Sequence, residues 1–216
     1  LKGRTLNESQ EFVKKLIKDE GLTLIHPYDN TNVILGQGTI GLELIQNLPD
    51  LDAIVVPIGG GGLISGISVA AKNINPKLRI YGVQTEKFPT MYNSYKKSNL
   101  KVSSDTLADG IAVKVPGEIT SPIIKKYVDD ILLVDEFDIE KAISNLFESE
   151  RVVAEGAGAA GVAAICKSPS LFKNLKVAII ICGGNIDARV FASILNRKLS
   201  FDGRMTKVRI DIIDEP

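Results

Sequence analysis

Apolar residues along this chain switch between two periods. Over residues 5–21, Phe12, Val13, Leu16 and Ile17 share one face at helical spacing with charges opposite, and Gly21 stands where a left-handed cap would close the helix. A short strand is expected at Leu22-Thr23-Leu24-Ile25, a turn at His26-Pro27-Tyr28-Asp29-Asn30, and a second helix over residues 31–48. That helix contains Gly36, Gly38 and Gly41. Glycine lowers helix propensity, so either another backbone packs close there or the helix starts irregularly near Gly36.

Strand and helix then alternate. Ala53-Ile54-Val55-Val56-Pro57-Ile58 is a continuous apolar run of strand length, the mark of a strand buried on both faces. It runs through four glycines into a helix over residues 63–72. A strand over 78–84, a helix over 90–97, an irregular stretch over 98–122, a strand over 131–134 and helices over 138–151 and 157–166 follow. Residues 177–182 form the last buried strand, before a helix over 187–198. This order predicts an α/β fold, a twisted and mostly parallel sheet flanked by helices. Residues 204–213 alternate Met205, Val208, Ile210 and Ile212 with charges and predict a half-exposed strand.

Composition narrows the class. With 216 residues, 44% of them hydrophobic, the chain can form one sizeable core or a large and a small lobe. Its 26 basic and 26 acidic residues balance, so no global charge draws it to nucleic acid or to an anionic membrane. The run Val177-Ala178-Ile179-Ile180-Ile181-Cys182 is far too short to span a bilayer. Two cysteines, Cys166 and Cys182, and one histidine, His26, exclude a disulfide framework and argue against a zinc site. A cytoplasmic location is expected, since Leu1-Lys2-Gly3-Arg4 does not begin a secretion signal. The first residue is not Met, which suggests a processed or incomplete chain.

The strongest chemical signal is Gly59-Gly60-Gly61-Gly62-Leu63 between a buried strand and a helix. Such a run lets backbone N–H groups turn toward one point, where the helix N-terminus adds partial positive charge. A phosphate suits it. The loop lacks the Lys-Ser/Thr of a P-loop and the third glycine of the dinucleotide fingerprint. Glu86, after the next strand, keeps a dinucleotide alternative open as a ribose-binding acid. Three further polar breaks are Asp109-Gly110, Glu155 before the small-residue helix, and Cys182-Gly183-Gly184-Asn185, whose thiol sits at a strand's carboxyl end. Taken singly, Asp109 reads as a turn former and Glu155 as a favourable charge at a helix start.

In combination and in this order, these segments, with His26-Pro27-Tyr28-Asp29 and Gly36-Gln37-Gly38-Thr39-Ile40-Gly41-Leu42-Glu43, resemble fold-type II pyridoxal-phosphate enzymes. The likeness is to the threonine dehydratase (threonine ammonia-lyase) and serine racemase group, of tryptophan synthase β-like fold. It implies pyridoxal 5'-phosphate as cofactor, with its phosphate on Gly59, Gly60, Gly61, Gly62 and the backbone of Leu63. It places Cys182, where many relatives have Ser, at the pyridine nitrogen, and Asp109, Gly110 and Glu155 along the cofactor pocket. A neutral thiol cannot hold that nitrogen protonated as a carboxylate would, which favours phosphate-assisted β-elimination over use of the ring as an electron sink.

The resemblance also implies an organisation: a remnant of the small domain over residues 1–30, the large cofactor-binding domain over 31–203, and the start of an ACT-like regulatory domain over 204–216. The family's Schiff-base lysine motif, Ser-Phe-Lys-x-Arg-Gly, and its Ser-Gly-Asn-His loop do not occur in this chain. No catalytic residue is therefore assigned, and a fragment lacking an N-terminal part is expected. Gln84 and Thr90 stand where serine racemases carry two carboxylate ligands of a divalent cation, so no metal is expected there. The implied activity is dehydration and deamination of L-threonine, and of L-serine, to 2-oxobutanoate or pyruvate and ammonia. The alternatives are a serine racemase-like enzyme, or a non-catalytic phosphate-ligand module that needs a partner chain. The implied partners are a small amino-acid substrate and further copies of the chain in a dimer or tetramer.

Overall fold

A computed structural model describes residue 2 and residues 6–211. Four parallel strands, β1 (Ala53–Pro57), β2 (Arg79–Thr85), β3 (Asp130–Val134) and β4 (Val177–Ile179), form a sheet in the order β3-β2-β1-β4. Every residue of β1 is buried. Ala53 and Val55 face one core with Tyr81, Val83 and Val134, while Ile54, Val56 and Ile58 face the other with Ile80 and Ile131. The two-residue period of a strand thus serves two cores at once, which is why the run is apolar without alternation. Each Val or Ile fully buried there contributes about 1.5–3 kcal/mol. Pro57 closes β1 on the side of β4, where the pairing ends at Val55, so its missing N–H breaks no ladder bond, and on the other side Ile58 N–H continues the ladder to Val83 O at 2.7 Å.

Eight α-helices lie among the described residues. They are α1 (Leu6–Glu20), α2 (Thr31–Asn47), α3 (Gly62–Ile74), α4 (Thr90–Lys96), α5 (Thr120–Tyr127), α6 (Glu136–Asn145), α7 (Gly156–Lys167) and α8 (Ala188–Phe201). Asn30 caps α2, its side chain accepting from Asn32 N–H at 2.9 Å and Val33 N–H at 3.3 Å. Asp135 and Asp138 form a capping box that starts α6 before its expected first residue. Beyond Asn145 the backbone continues as a π turn over Leu146–Glu150 and stops at Arg151, which has φ 59°.

The glycines of α2 resolve in favour of close packing. A Cβ at Gly41 would lie 2.7 Å from Ile67 O, and one at Gly66 would lie 2.2 Å from Ile34 O. Helices α2 and α3 therefore meet backbone to backbone, while Gly36 faces open space in a continuous helix.

Several expectations are corrected. Leu22-Thr23-Leu24-Ile25 forms no strand; three of the four are large apolar residues in the open, and among the described residues no strand lies beside them to pair with. Residues 204–211 are exposed and not a strand, while Ile212 and Ile213 lie outside the described residues. The last strand is not fully buried: β4 is a half-buried edge strand of three residues, and one further bond, Ile180 N–H to Val55 O at 3.0 Å, ends the pairing. The stretch 98–122 holds a 3₁₀ turn (Asp109–Ile111) and the start of α5, whose Pro122 falls in the first turn, where no N–H is needed. Among the described residues no helix is long and apolar enough to cross a membrane.

The packing of α2 on α3 predicts opposite outcomes at two glycines of the same pair. Gly66→Ala should destabilise the chain by about 1–3 kcal/mol or more, because backbone must move. Gly36→Ala should stabilise it by about 0.5–1 kcal/mol through helix propensity. Urea unfolding followed by circular dichroism measures both; a neutral Gly66→Ala would contradict the close approach.

Candidate functional site: a phosphate cup at the carboxyl edge of the sheet

The loop after β1 has the carbonyls of Ile58, Gly60 and Gly61 engaged and its N–H groups free of protein acceptors. Gly60 O accepts from Thr120 Oγ1 at 2.6 Å, Gly61 O from Ser65 N–H at 3.0 Å, and Ile58 O from Gln84 Nε2 at 3.3 Å. The N–H groups of Gly59, Gly60, Gly61, Gly62 and Leu63 donate to no protein acceptor among the described residues. Gly60, Gly61 and Gly62 are nonetheless buried. Buried N–H groups without an acceptor are costly, and several at the start of α3, with the helix dipole behind them, make a site for an anion. Gly61 sits at φ 96°, a left-handed conformation that a side chain would strain.

The segment before α2 covers this loop. The Tyr28 ring packs directly on Gly60, where a Cβ would lie 2.2 Å from its carbons, and Tyr28 O lies against Gly62. His26 Nδ1 accepts from Asp29 N–H at 2.8 Å and Tyr28 N–H at 3.3 Å, which folds the turn that presents the ring. Burial first, and the Asp29 charge second, raise the Tyr28 hydroxyl above its ordinary pKa.

Three other segments form a chain of contacts that begins at the loop. A Cβ on Gly59 would lie 3.3 Å from Gly110 O; one on Gly110 would lie 3.4 Å from Glu155 Oε1, and one on Gly183 would overlap that same oxygen. Glu155 N–H donates to Gly183 O at 3.1 Å. Helix α7 begins with small residues because Gly156 abuts Leu107 O and Gly158 abuts Gly183 O, each with its would-be Cβ at 2.5 Å. Asp109 Oδ1 accepts from Gly110 N–H at 2.8 Å. The stretch before it is tied to α6 by Glu136, which accepts from Thr106 Oγ1 at 2.6 Å and Leu107 N–H at 2.8 Å. A cavity of about 450 Å³ opens beside these groups, lined among others by Lys87, Asp109, Glu136, Glu155 and Asn185.

Cys182 precedes Gly183 at this edge and keeps exposed surface. The protein around its thiol partly desolvates it, and Glu155 adds negative charge; in that order they push its pKa up. A neutral thiol, not a thiolate, therefore stands there at neutral pH.

The remaining candidates are occupied elsewhere. Glu86, the candidate ribose acid, pairs with Lys167 Nζ at 2.9 Å. Gln84 accepts from Tyr92 N–H at 2.9 Å while it donates to Ile58 O, and Thr90 Oγ1 donates to Val113 O at 2.8 Å, so both serve backbone. Sequence reasoning missed Thr120 and Glu136. No local pattern marks them, since their contacts here span 60 and about 30 residues.

An open parallel sheet with unpaired loop N–H groups outside the carboxyl end of an interior strand has the architecture of an α/β protein suited to an anionic ligand. The chain belongs to the pyridoxal-phosphate dependent enzyme family, whose model matches residues 1–183. It is 45% identical over 218 residues to L-threonine ammonia-lyase of Thermotoga maritima, covering 100% of this chain and 54% of that protein. The processed form of threonine deaminase isoform 2 from Solanum lycopersicum superposes with a TM-score of 0.84 at 34% identity, covering 91% of this chain and 55% of that one. Maize serine racemase superposes with a TM-score of 0.82 at 33% identity, over 92% and 63% of the two chains. The chain thus spans little more than half the length of the first of these relatives. These likenesses bear out the fold class expected from the sequence and support pyridoxal phosphate, not a dinucleotide, as the cofactor.

The electrostatics at Cys182 predict its reactivity. Its alkylation by iodoacetamide, followed site by site by mass spectrometry, should reach half-maximal rate at a pH above the ordinary thiol value of about 8.5. Glu155→Gln should lower that midpoint without restoring the ordinary value, because desolvation remains. A midpoint at or below the ordinary value in the unsubstituted chain would contradict the assignment.

Proposed function

We propose that this chain forms the phosphate- and ring-binding part of an ammonia-lyase that dehydrates and deaminates L-threonine, and L-serine beside it. The observation that carries the proposal is the cup itself: five adjacent N–H groups without a protein acceptor leading into α3, the three central ones on buried glycines, with the Gly60 and Gly61 carbonyls already engaged. Pyridoxal 5'-phosphate fits this arrangement in charge and shape, and when bound it supplies a carbonyl that condenses with an amine and a conjugated ring that spreads developing negative charge.

The roles of the residues follow from their positions. Gly59, Gly60, Gly61, Gly62 and Leu63 hold the phosphate through their N–H groups, and the α3 dipole adds to the attraction. Cys182, held neutral, would offer the ring nitrogen a thiol, which cannot keep that nitrogen charged as a carboxylate would. Asp109, Gly110 and Glu155 form the wall beside the cup. A side chain at Gly183 would displace the Glu155 carboxylate from its place against Gly110. No lysine of this chain is assigned to proton transfer. Gln84 and Thr90 are spent on backbone, and no cation is proposed beside them.

Ammonia-lyase chemistry is favoured over racemisation by the higher identity to the Thermotoga maritima protein, 45% against 33% and 38% for the serine racemases of maize and Dictyostelium discoideum. The proposed setting is the cytoplasm, and the proposed assembly a dimer or tetramer, with residues 1–30 and 204–216 belonging to a small domain and an ACT-like regulatory domain.

Two measurements test this. In an isotope-labelled chain, pyridoxal 5'-phosphate should shift the amide resonances of residues 59–63 at concentrations where dephosphorylated pyridoxal does not, and inorganic phosphate should compete. Equal effects of the two pyridoxal forms would refute the cup. The full-length gene product that contains this chain should release ammonia and 2-oxobutanoate in equal amounts from L-threonine; conversion of L-serine to D-serine without ammonia would overturn the lyase reading in favour of a racemase.

A further inference from the structure

Four consecutive glycines make a loop whose peptide planes are loosely held by their own backbone preferences. A Gly-Gly peptide can rotate as a unit and exchange its C=O for its N–H on either side, and a carbonyl turned into an anion cup would repel the ligand. Something outside the loop must fix the plane. We infer that Thr120 is the positioning residue that holds the Gly60–Gly61 peptide with its N–H on the phosphate side; the inference rests on the cup proposed above.

The geometry is specific. Thr120 is fully buried, and its Oγ1 donates to Gly60 O at 2.6 Å. The described backbone contains no cis peptide, so the N–H of Gly61 points opposite to the C=O of Gly60, away from Thr120. A hydroxyl on one side of the peptide therefore sets the donor on the other. Thr120 has little freedom of its own. Asp29 accepts from Glu118 N–H at 2.8 Å, Ile119 N–H at 2.9 Å and Thr120 N–H at 3.2 Å, anchoring the start of α5 to the segment that carries Tyr28. Gly117 permits this, since any Cβ there would overlap both Asp29 Oδ1 and Thr120 Oγ1. Gly61 is equally constrained from this side: its would-be Cβ falls 2.9 Å from Thr120 Oγ1 and 2.8 Å from Ile124 Cδ1. The line from Asp29 through Thr120 to Gly60 thus ties three segments distant in sequence to one peptide plane.

The test compares the unsubstituted, T120V and T120S chains by titration of the labelled chain with pyridoxal 5'-phosphate, with thermal unfolding as the control for folding. T120V keeps the shape and removes the hydroxyl; its affinity should fall about three- to thirty-fold, the effect of one hydrogen bond, and its Gly61 amide should no longer move as in the parent. T120S keeps the hydroxyl, and both its affinity and its Gly61 shift should stay within about two-fold of the parent. If T120V binds as the parent does with the same Gly61 shift, the positioning role is refuted while the cup stands. If T120V does not fold, T120S decides: a ten-fold or greater loss in a folded T120S would assign the effect to the missing methyl and overturn the inference. If the unsubstituted chain shows no shift at residues 59–63, both the cup and the role of Thr120 in it are refuted.

Discussion

The site depends on one asymmetry, in which the carbonyls of Ile58, Gly60 and Gly61 after β1 are engaged by the protein and the loop N–H groups are left over. The donors to those carbonyls come from three directions. Thr120 reaches in from α5, Ser65 from the first turns of α3, and Gln84 from β2. Behind them, β1 is the central strand of the sheet and is buried on both faces, so the loop it feeds is anchored to the most heavily packed part of the chain. Burial drives the sheet together, and hydrogen bonding decides which backbone groups remain available to a ligand.

The same edge of the sheet gathers the other groups by close contact rather than by side-chain bonding. Gly59 touches Gly110, Gly110 touches Glu155, and Glu155 touches Gly183, so the walls of the site are glycine backbones pressed around one carboxylate. The charge of that carboxylate, added to partial desolvation, keeps Cys182 in its neutral form. Charge is thereby sorted across a short distance: a donor-rich cup on one side of the sheet's edge, and a neutral thiol beside an acid on the other. A cofactor with an anionic phosphate at one end and a weakly basic ring nitrogen at the other matches that sorting.

Much of this was readable along the chain, for physical reasons that differ by element. The strands of the sheet announced themselves because burial on both faces demands unbroken apolar runs, as in Ile54-Val55-Val56. The glycine clusters announced the cup and its walls because so much backbone freedom is costly to order unless something needs the space. Leu22-Thr23-Leu24-Ile25 misled for the reverse reason: apolar composition resembles a strand, but a strand also needs a neighbour. Residues 204–211 misled by the same alternation. Helix α5 escaped notice because it is short and carries a proline, and Thr120 because a single hydrogen bond across 60 residues leaves no local mark. The groups proposed to face the ligand lie in motifs, whereas the groups that hold them in place are scattered.

The most direct measurement of the central claim is a crystal structure of the chain soaked with pyridoxal 5'-phosphate. The account predicts phosphate oxygens at hydrogen-bonding distance, about 2.7–3.2 Å, from N–H groups of residues 59–63, with the Gly60 carbonyl still turned to Thr120. Phosphate density elsewhere, or a cup whose carbonyls face the ligand, would contradict it.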